Sequence, residues 1–213
     1  MTKKMQAGAI TKPHDEREEN DAYFTPLFLA QAICRTLGSL IDIPVETILE
    51  PSAGAGVFMA CAQEVWPTAD VVGIDINPQG PRIHKLDFMR ERQTNWDLEI
   101  GNPPYICAEQ HVRHGLHLLR TGGFLAFLMP TTFLAGDKRA KLYEEHPLRY
   151  LQPVAGRPSF LAHEGNGAQE FAVFTWKKGW QQNGELLPPL KWKPAAERKS
   201  RRRSSPPTEA LEE

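Results

Sequence analysis

Residues 48–66 read ILEPSAGAGVFMACAQEVW. An apolar run, a loop of small residues carrying Gly54 and Gly56, and a run of helix-forming residues follow one another without a break. That order predicts a strand, a tight turn and a helix, the opening unit of an α/β sheet. Glycines between a strand and a helix let the backbone turn sharply and approach a ligand closely. Met59 stands where a third glycine would complete a dinucleotide fingerprint, and no Gly-Lys-Ser/Thr follows, so neither that motif nor a P-loop is present.

The same alternation continues on both sides. Upstream, Leu27, Leu29, Ile33, Leu37 and Leu40 recur at helical spacing behind the start signal Thr25-Pro26. Residues 45–50 (VETILE) form the strand entering the loop. Downstream, residues 70–76 (DVVGIDI), 82–88 (RIHKLDF), 96–101 (WDLEIG) and 123–130 (GFLAFLMP) read as strands. Residues 108–120 and 135–146 read as helices. The last two strands, 148–154 and 168–178, have no helical pattern between them, which predicts a hairpin-like end. The expected fold is therefore α/β: a doubly wound, mainly parallel seven-stranded sheet, Rossmann-like, with an antiparallel last strand. Residues 1–20 are expected to be a flexible polar segment, 21–180 the folded domain, and 181–213 a disordered basic tail.

Bulk properties narrow the class. The chain has 213 residues, 41% of them apolar, enough for one domain with a real core. No apolar run approaches the ~20 residues of a membrane span, and the start has no apolar stretch of a secretory signal. Three widely spaced cysteines, Cys34, Cys61 and Cys107, suit free thiols in a reducing cytoplasm. The net charge of -1 conceals a basic run at residues 191–203, with Glu197 its one acid. Such a run is either a solvated tail or a polyanion contact.

The acids have positional meaning. Asp75 closes the next strand 19 residues after Gly56, where a carboxylate accepts hydrogen bonds from two ribose hydroxyls. Asp87 sits at the end of the third strand, placed to accept from an adenine amine, with the Phe88 ring beside it. Glu50, just before the loop, adds a third acid. In an open α/β sheet these strand ends line one crevice, and together they predict an adenosine site without the cations a triphosphate needs.

The fourth strand ends in residues 101–105, GNPPY. Two consecutive prolines fix two φ angles and push the preceding residues into extended backbone, so the segment is stiff. With DAYFTP (21–26), EPSAGAGVF (50–58), GIDI (73–76) and LDF (86–88) before it, the chain resembles the amino-methyltransferases, and in motif order the gamma-type DNA adenine-N6 methyltransferases that use S-adenosylmethionine. The resemblance covers about residues 21–176 and implies a class I methyltransferase fold. It implies that Tyr23, Thr25 and Pro26 bind the methionine end of the cofactor and that Glu50, Ala53 and Gly54 line the same site. It further implies that Asp75 holds the ribose and that Asp87 and Phe88 hold the adenine.

The chemistry of that reaction explains the motif. An exocyclic amine is a poor nucleophile because its lone pair is delocalised into the ring. The Asn102 side-chain oxygen and the Pro103 carbonyl would accept hydrogen bonds from it, freeing the lone pair for in-line attack on a sulfonium methyl. Neutral Asn is a poor base, so orientation and electrostatics would carry the step. Pro103 and Pro104 keep the acceptors in place, and Tyr105 would stack on the target base. A base in duplex DNA must be flipped out to reach such a pocket. Phe160, in the loop RPSF (157–160), would cover its other face, with Arg157 placed for a phosphate.

Other signals carry less. His111, His114 and His117 are spaced i, i+3, i+6, unlike the i, i+4 pair of a zinc helix, and predict a surface facing phosphates or solvent, with no metal. After residue 180 only a short tail follows, and no helix-turn-helix or zinc reader is apparent. This predicts little sequence specificity, or specificity from residues 111–117 and 157–167 together with a dimer partner. The expected partner is double-stranded DNA, with no membrane, in a bacterial or phage-infected cytoplasm. A compact stand-alone form suits a phage or mobile element. Methylation of another planar amine (cytosine N4, a ribosomal RNA base or a protein glutamine) and a catalytically silent DNA-binding module remain the alternatives.

Overall fold

The computed structural model describes residues 25–136, 139–158 and 169–193. The strands are β1 (Thr47–Pro51), β2 (Asp70–Asp75), β3 (Ile83–Lys85), β4 (Trp96–Gly101), β5 (Leu119–Pro130), β6 (Tyr150–Pro153), β7 (Phe171–Lys177) and β8 (Glu185–Leu186). The helices are α1 (Leu27–Leu40), α2 (Val57–Val65), α3 (Ala108–Leu118) and α4 (Ala140–Glu145). The sheet order is β3-β2-β1-β4-β5-β7-β6-β8. The pairs from β3 through β5 are parallel, and β7 runs antiparallel to both β5 and β6. This is the expected doubly wound α/β sheet, with its antiparallel β7 inserted between β5 and β6.

Both faces of the sheet are covered, which is why its central strands are apolar throughout. Strand β5 shows the sorting. Phe124, Ala126 and Leu128 join the core under α1 and α2, with Ile33, Leu37 and Phe58. Leu125, Phe127 and Met129 join the opposite core under α3 and α4, with Val112, Leu116 and Leu142. Asp97 ties the strand starts together: Oδ2 accepts from Glu46 N (2.8 Å) and Thr47 N (2.9 Å), and Oδ1 pairs with Arg120.

Several boundaries differ from the sequence reading: the helix expected over 135–146 is Ala140–Glu145, and the strand expected over 82–88 is Ile83–Lys85. The helix expected through residue 120 ends at Leu118, and β5 begins at once with Leu119, because Leu119 and Trp96 pair across the sheet. Residues 181–193, expected to belong to a disordered tail, are structured. Their β8 pairs parallel with β6, Leu187 and Leu190 are buried, and the Trp192 indole donates to Ala155 O at 3.1 Å. Apolar burial outweighs the cost of ordering this stretch, and the sheet gains an eighth strand. Residues 194–213, including Arg198 to Arg203, lie outside the described residues, as do residues 1–24.

Glu99, in the middle of β4, is fully buried and neither carboxyl oxygen has a hydrogen-bond partner. It fits because Gly115 on α3 has no side chain: a Cβ there would meet Glu99 Oε2 at 2.5 Å. Burial pushes the Glu99 carboxyl up to about 8. An unfolded glutamate titrates near ~4.3, so between these values the native state binds the extra proton and stability falls as pH rises. Glu99→Gln removes that slope. In urea unfolding the variant should be more stable than the parent by up to about 5 kcal/mol at pH 8.5, with the difference nearly gone near pH 4.5. Equal gaps at both pH values would refute this account of Glu99.

Candidate active site

The strand order reverses between β1 and β4, so the connections leaving them diverge and open a crevice at their carboxyl ends. There lies a cavity of about 830 Å3. Its lining includes Thr25, Glu50, Ala53, Gly54, Asp75, Asp87, Phe88, Asn102 and Pro104, residues that the sequence assigned to one site from five separate segments.

The glycine loop owes its shape to backbone that few side chains tolerate. Gly54 and Gly56 have φ of 53° and 80°, and Ser52 joins them at 58°. Asp75 clamps the result. Its Oδ2 accepts from Gly54 N at 2.7 Å and its Oδ1 from Asn77 N at 2.7 Å, which leaves further lone pairs on both oxygens for a ligand. Glu50 lies beneath the loop, 2% exposed, and accepts from Met59 N (2.7 Å) and Phe58 N (3.4 Å) at the start of α2. Burial raises its carboxyl to about 8 despite these two donors, and neighbouring Cys61 and Asp75 push the same way.

Asp87 is exposed at the crevice and caps the following 3-10 turn through Met89 N at 2.9 Å. Phe88 borders the cavity, but it is 3% exposed and its ring is packed against His111 and His114 at 5.1 and 4.9 Å. It supports the wall more than it offers a free face.

Asn102 emerges from β4 between Gly101 and the two prolines. Its Nδ2 donates to Thr25 Oγ1 at 3.3 Å, and its Oδ1 accepts from the Tyr105 hydroxyl at 2.8 Å. Pro103 is buried and, like Pro26 and Tyr105, does not line the cavity. The Tyr105 ring leans toward Phe171, 5.8 Å away. Tyr23 and Phe160 lie outside the described residues.

Sequence reasoning missed His111. It was expected to face phosphates or solvent, yet it is 5% exposed and lines the cavity. Its Nδ1–H donates to Cys107 O (3.2 Å), leaving Nε2 to accept from Ser52 Oγ at 3.4 Å. Burial lowers its pKa, so the ring is neutral near pH 7. A signal was present: His111 falls on the same arc as Ala108, Val112 and Gly115, the face that α3 buries. Of the rest of residues 111–117, Val112, Gly115 and Leu116 are buried, Arg113 is paired with Glu109 and Glu145, and His117 is exposed. The cavity's rim also includes Leu27, Ile76, Met89 and Ile106, all substantially exposed. Among the described residues no cluster of three or more His, Cys, Asp or Glu is arranged to hold a metal, and no helix is long and apolar enough to cross a membrane.

No protein-family model matches the chain. The chain is 28% identical over 109 residues to the type II methyltransferase M.CvrRI of Paramecium bursaria Chlorella virus XZ-6E, covering 46% of this chain and 28% of that protein. It is 22% identical over 153 residues to the modification methylase CviBIII of Paramecium bursaria Chlorella virus NC1A, covering 57% and 41%. The matches thus span well under half of these curated relatives. Among solved structures, a Listeria monocytogenes protein assigned to the class I S-adenosylmethionine-dependent methyltransferases superposes with a TM-score of 0.61 at 12% identity, over 83% of this chain and 69% of that one. The M protein of the type I restriction enzyme EcoKI superposes with a TM-score of 0.57 at 18% identity, over 78% and 48%. The fold is that of class I methyltransferases.

Proposed function

We propose that this chain transfers a methyl group from S-adenosylmethionine to the exocyclic N6 amine of adenine in double-stranded DNA, acting on a flipped-out base with little sequence selection. The carrying observation is Asn102, whose amide oxygen is held at the edge of a crevice that also gathers Glu50, Asp75 and Asp87. The viral relatives named as methyltransferase and modification methylase support the choice of DNA.

The residues present fit the cofactor. Asp75 keeps lone pairs for the ribose hydroxyls while holding the glycine loop. Asp87, exposed at the end of the third strand, accepts from the adenine amine. Ala53 and Gly54 bring backbone close, and buried Glu50 sets negative charge near a cationic ligand. Bound there, the cofactor supplies an electrophilic methyl on a sulfonium. Asn102 Oδ1 and the Pro103 carbonyl accept from the target NH2 and localise its lone pair. The cofactor would give up its methyl and leave as the neutral thioether, while these residues present the nitrogen lone pair and leave the surplus proton a route to solvent. Tyr105 and Phe160 sandwich the base, each stacking contact worth ~1–3 kcal/mol.

The test is to incubate the protein with labelled cofactor and, separately, unmethylated duplex DNA, RNA and protein, then identify the product by mass spectrometry. N6-methyladenine in DNA at many sequence contexts is expected. Label on cytosine N4, on RNA or on a glutamine would replace the adenine reading, and a single long recognition sequence would end the low-selectivity part.

Glu50 adds a proton signature. A cationic ligand beside a carboxyl that titrates at about 8 favours its ionised form. Cofactor binding near pH 7 should therefore release up to about one proton. Calorimetry in buffers of different ionisation enthalpy should show this release at pH 7, its decline above pH 9, and its loss in Glu50→Gln. Buffer-independent enthalpies at pH 7 would contradict it.

A further inference from the structure

We propose that Thr25 is a positioning residue for the transfer, whose hydroxyl holds the NH2 edge of Asn102 so that the amide oxygen is the edge presented to the target amine. The inference rests on the methyl-transfer reading and adds a contact with the reacting amide to the cofactor role that the resemblance implies for Thr25.

An asparagine amide has two edges of similar shape and opposite chemistry. Only the oxygen edge can accept from an incoming amine, and a flipped amide would set N–H against N–H. Asn102 is flanked by two hydroxyls, and their chemistry decides the orientation. A phenol is a better donor and a poorer acceptor than an alkyl hydroxyl, so Tyr105 donates to Oδ1 at 2.8 Å and Thr25 accepts from Nδ2 at 3.3 Å.

The structure commits Thr25 to this task. A threonine beside a helix start commonly spends its hydroxyl on a free backbone N–H. Here α1 has no side-chain cap, and Pro26 O takes Leu29 N and Ala30 N instead. The Thr25 hydroxyl reaches Asn102, 77 residues away, while the residue itself is 8% exposed. The two contacts differ in what happens on substrate arrival. The target N–H must displace the Tyr105 hydroxyl from Oδ1. The Thr25 contact, on the opposite edge, stays. Tyr105 is thus a placeholder for the substrate, and Thr25 the fixed reference that survives the exchange.

The experiment compares Thr25→Val, which keeps shape and loses the hydroxyl, with Thr25→Ser, which keeps the hydroxyl. At saturating cofactor and DNA, Thr25→Val should lower the single-turnover rate roughly tenfold to a hundredfold, beyond any change in cofactor Kd. Thr25→Ser should recover most of the rate. In an Asn102→Asp background, where both carboxylate edges are acceptors, Thr25→Val should cost little. A parental rate in Thr25→Val, a loss confined to cofactor Kd, or an equal loss in the Asn102→Asp background overturns the proposal. The Asn102 side-chain amide signal in NMR of the free protein gives a readout without turnover. It should shift and exchange faster in Thr25→Val, and an unchanged signal also overturns the proposal. If the parent protein shows the amide contact but methylates no DNA, the methyl-transfer reading fails while the contact stands.

Discussion

Asn102→Ala should abolish nearly all methyl transfer, lowering the single-turnover rate by roughly a thousandfold, while cofactor affinity and melting temperature stay close to those of the parent. The size follows from what is lost. On the proposed reading the amide oxygen accepts from the target amine, and this hydrogen bond strengthens as positive charge develops on the nitrogen. Its geometry is fixed before substrate arrives, because the prolines on its carboxyl side restrict the backbone and Thr25 and Tyr105 hold the amide. Preorganised acceptors of this kind cost nothing to align during reaction, so their removal appears in the chemical step. Asn102→Asp should retain a measurable fraction, since a carboxylate accepts from the amine. An alanine variant with parental rates would mean that the chemistry lies elsewhere.

Asp75→Ala should weaken cofactor binding by roughly a hundredfold or more in equilibrium titration. One carboxylate serves two purposes here. It is the expected partner of the ribose hydroxyls, and it also accepts from Gly54 N and Asn77 N at 2.7 Å each. The variant loses the ligand contact and the clamp that keeps the loop open at positive φ. Asp75→Asn keeps one acceptor and should fall between alanine and parent. The cost to stability should be about 1–2 kcal/mol, because the released N–H groups are near solvent. Unchanged affinity in Asp75→Ala would remove this carboxylate from the cofactor site.

What could be read from the sequence was whatever local pattern decides. The strand–loop–helix at residues 48–66, the acid closing β2 and the double proline after β4 are each set within a few residues. They converge because parallel strands bring their carboxyl ends together. Long-range compensation was illegible. Glu185 and Leu186 carry no strand signal, yet they pair with Tyr150 and Leu151, 35 residues earlier, because Leu187 and Leu190 find a core beneath. His111 was misplaced because i, i+3, i+6 spacing gives a helix face but not its direction. Ser52 adopts positive φ without being glycine, in a loop clamped from the next strand by Asp75. The assignment of Thr25 also needed three dimensions, since its hydroxyl serves a residue from the far half of the domain.

The way the sheet ends bears on how this protein behaves in company. Its outermost members are β3 at one side, three residues long, and β8 at the other, two residues long. A long bare strand offers a row of backbone donors and acceptors to any passing chain, and self-association through such edges leads to aggregates. Among the described residues the unpaired rim is too short to template that growth. The segment after residue 181 thereby shields the longer β6 behind it, a protective role independent of whatever the basic residues beyond it contact.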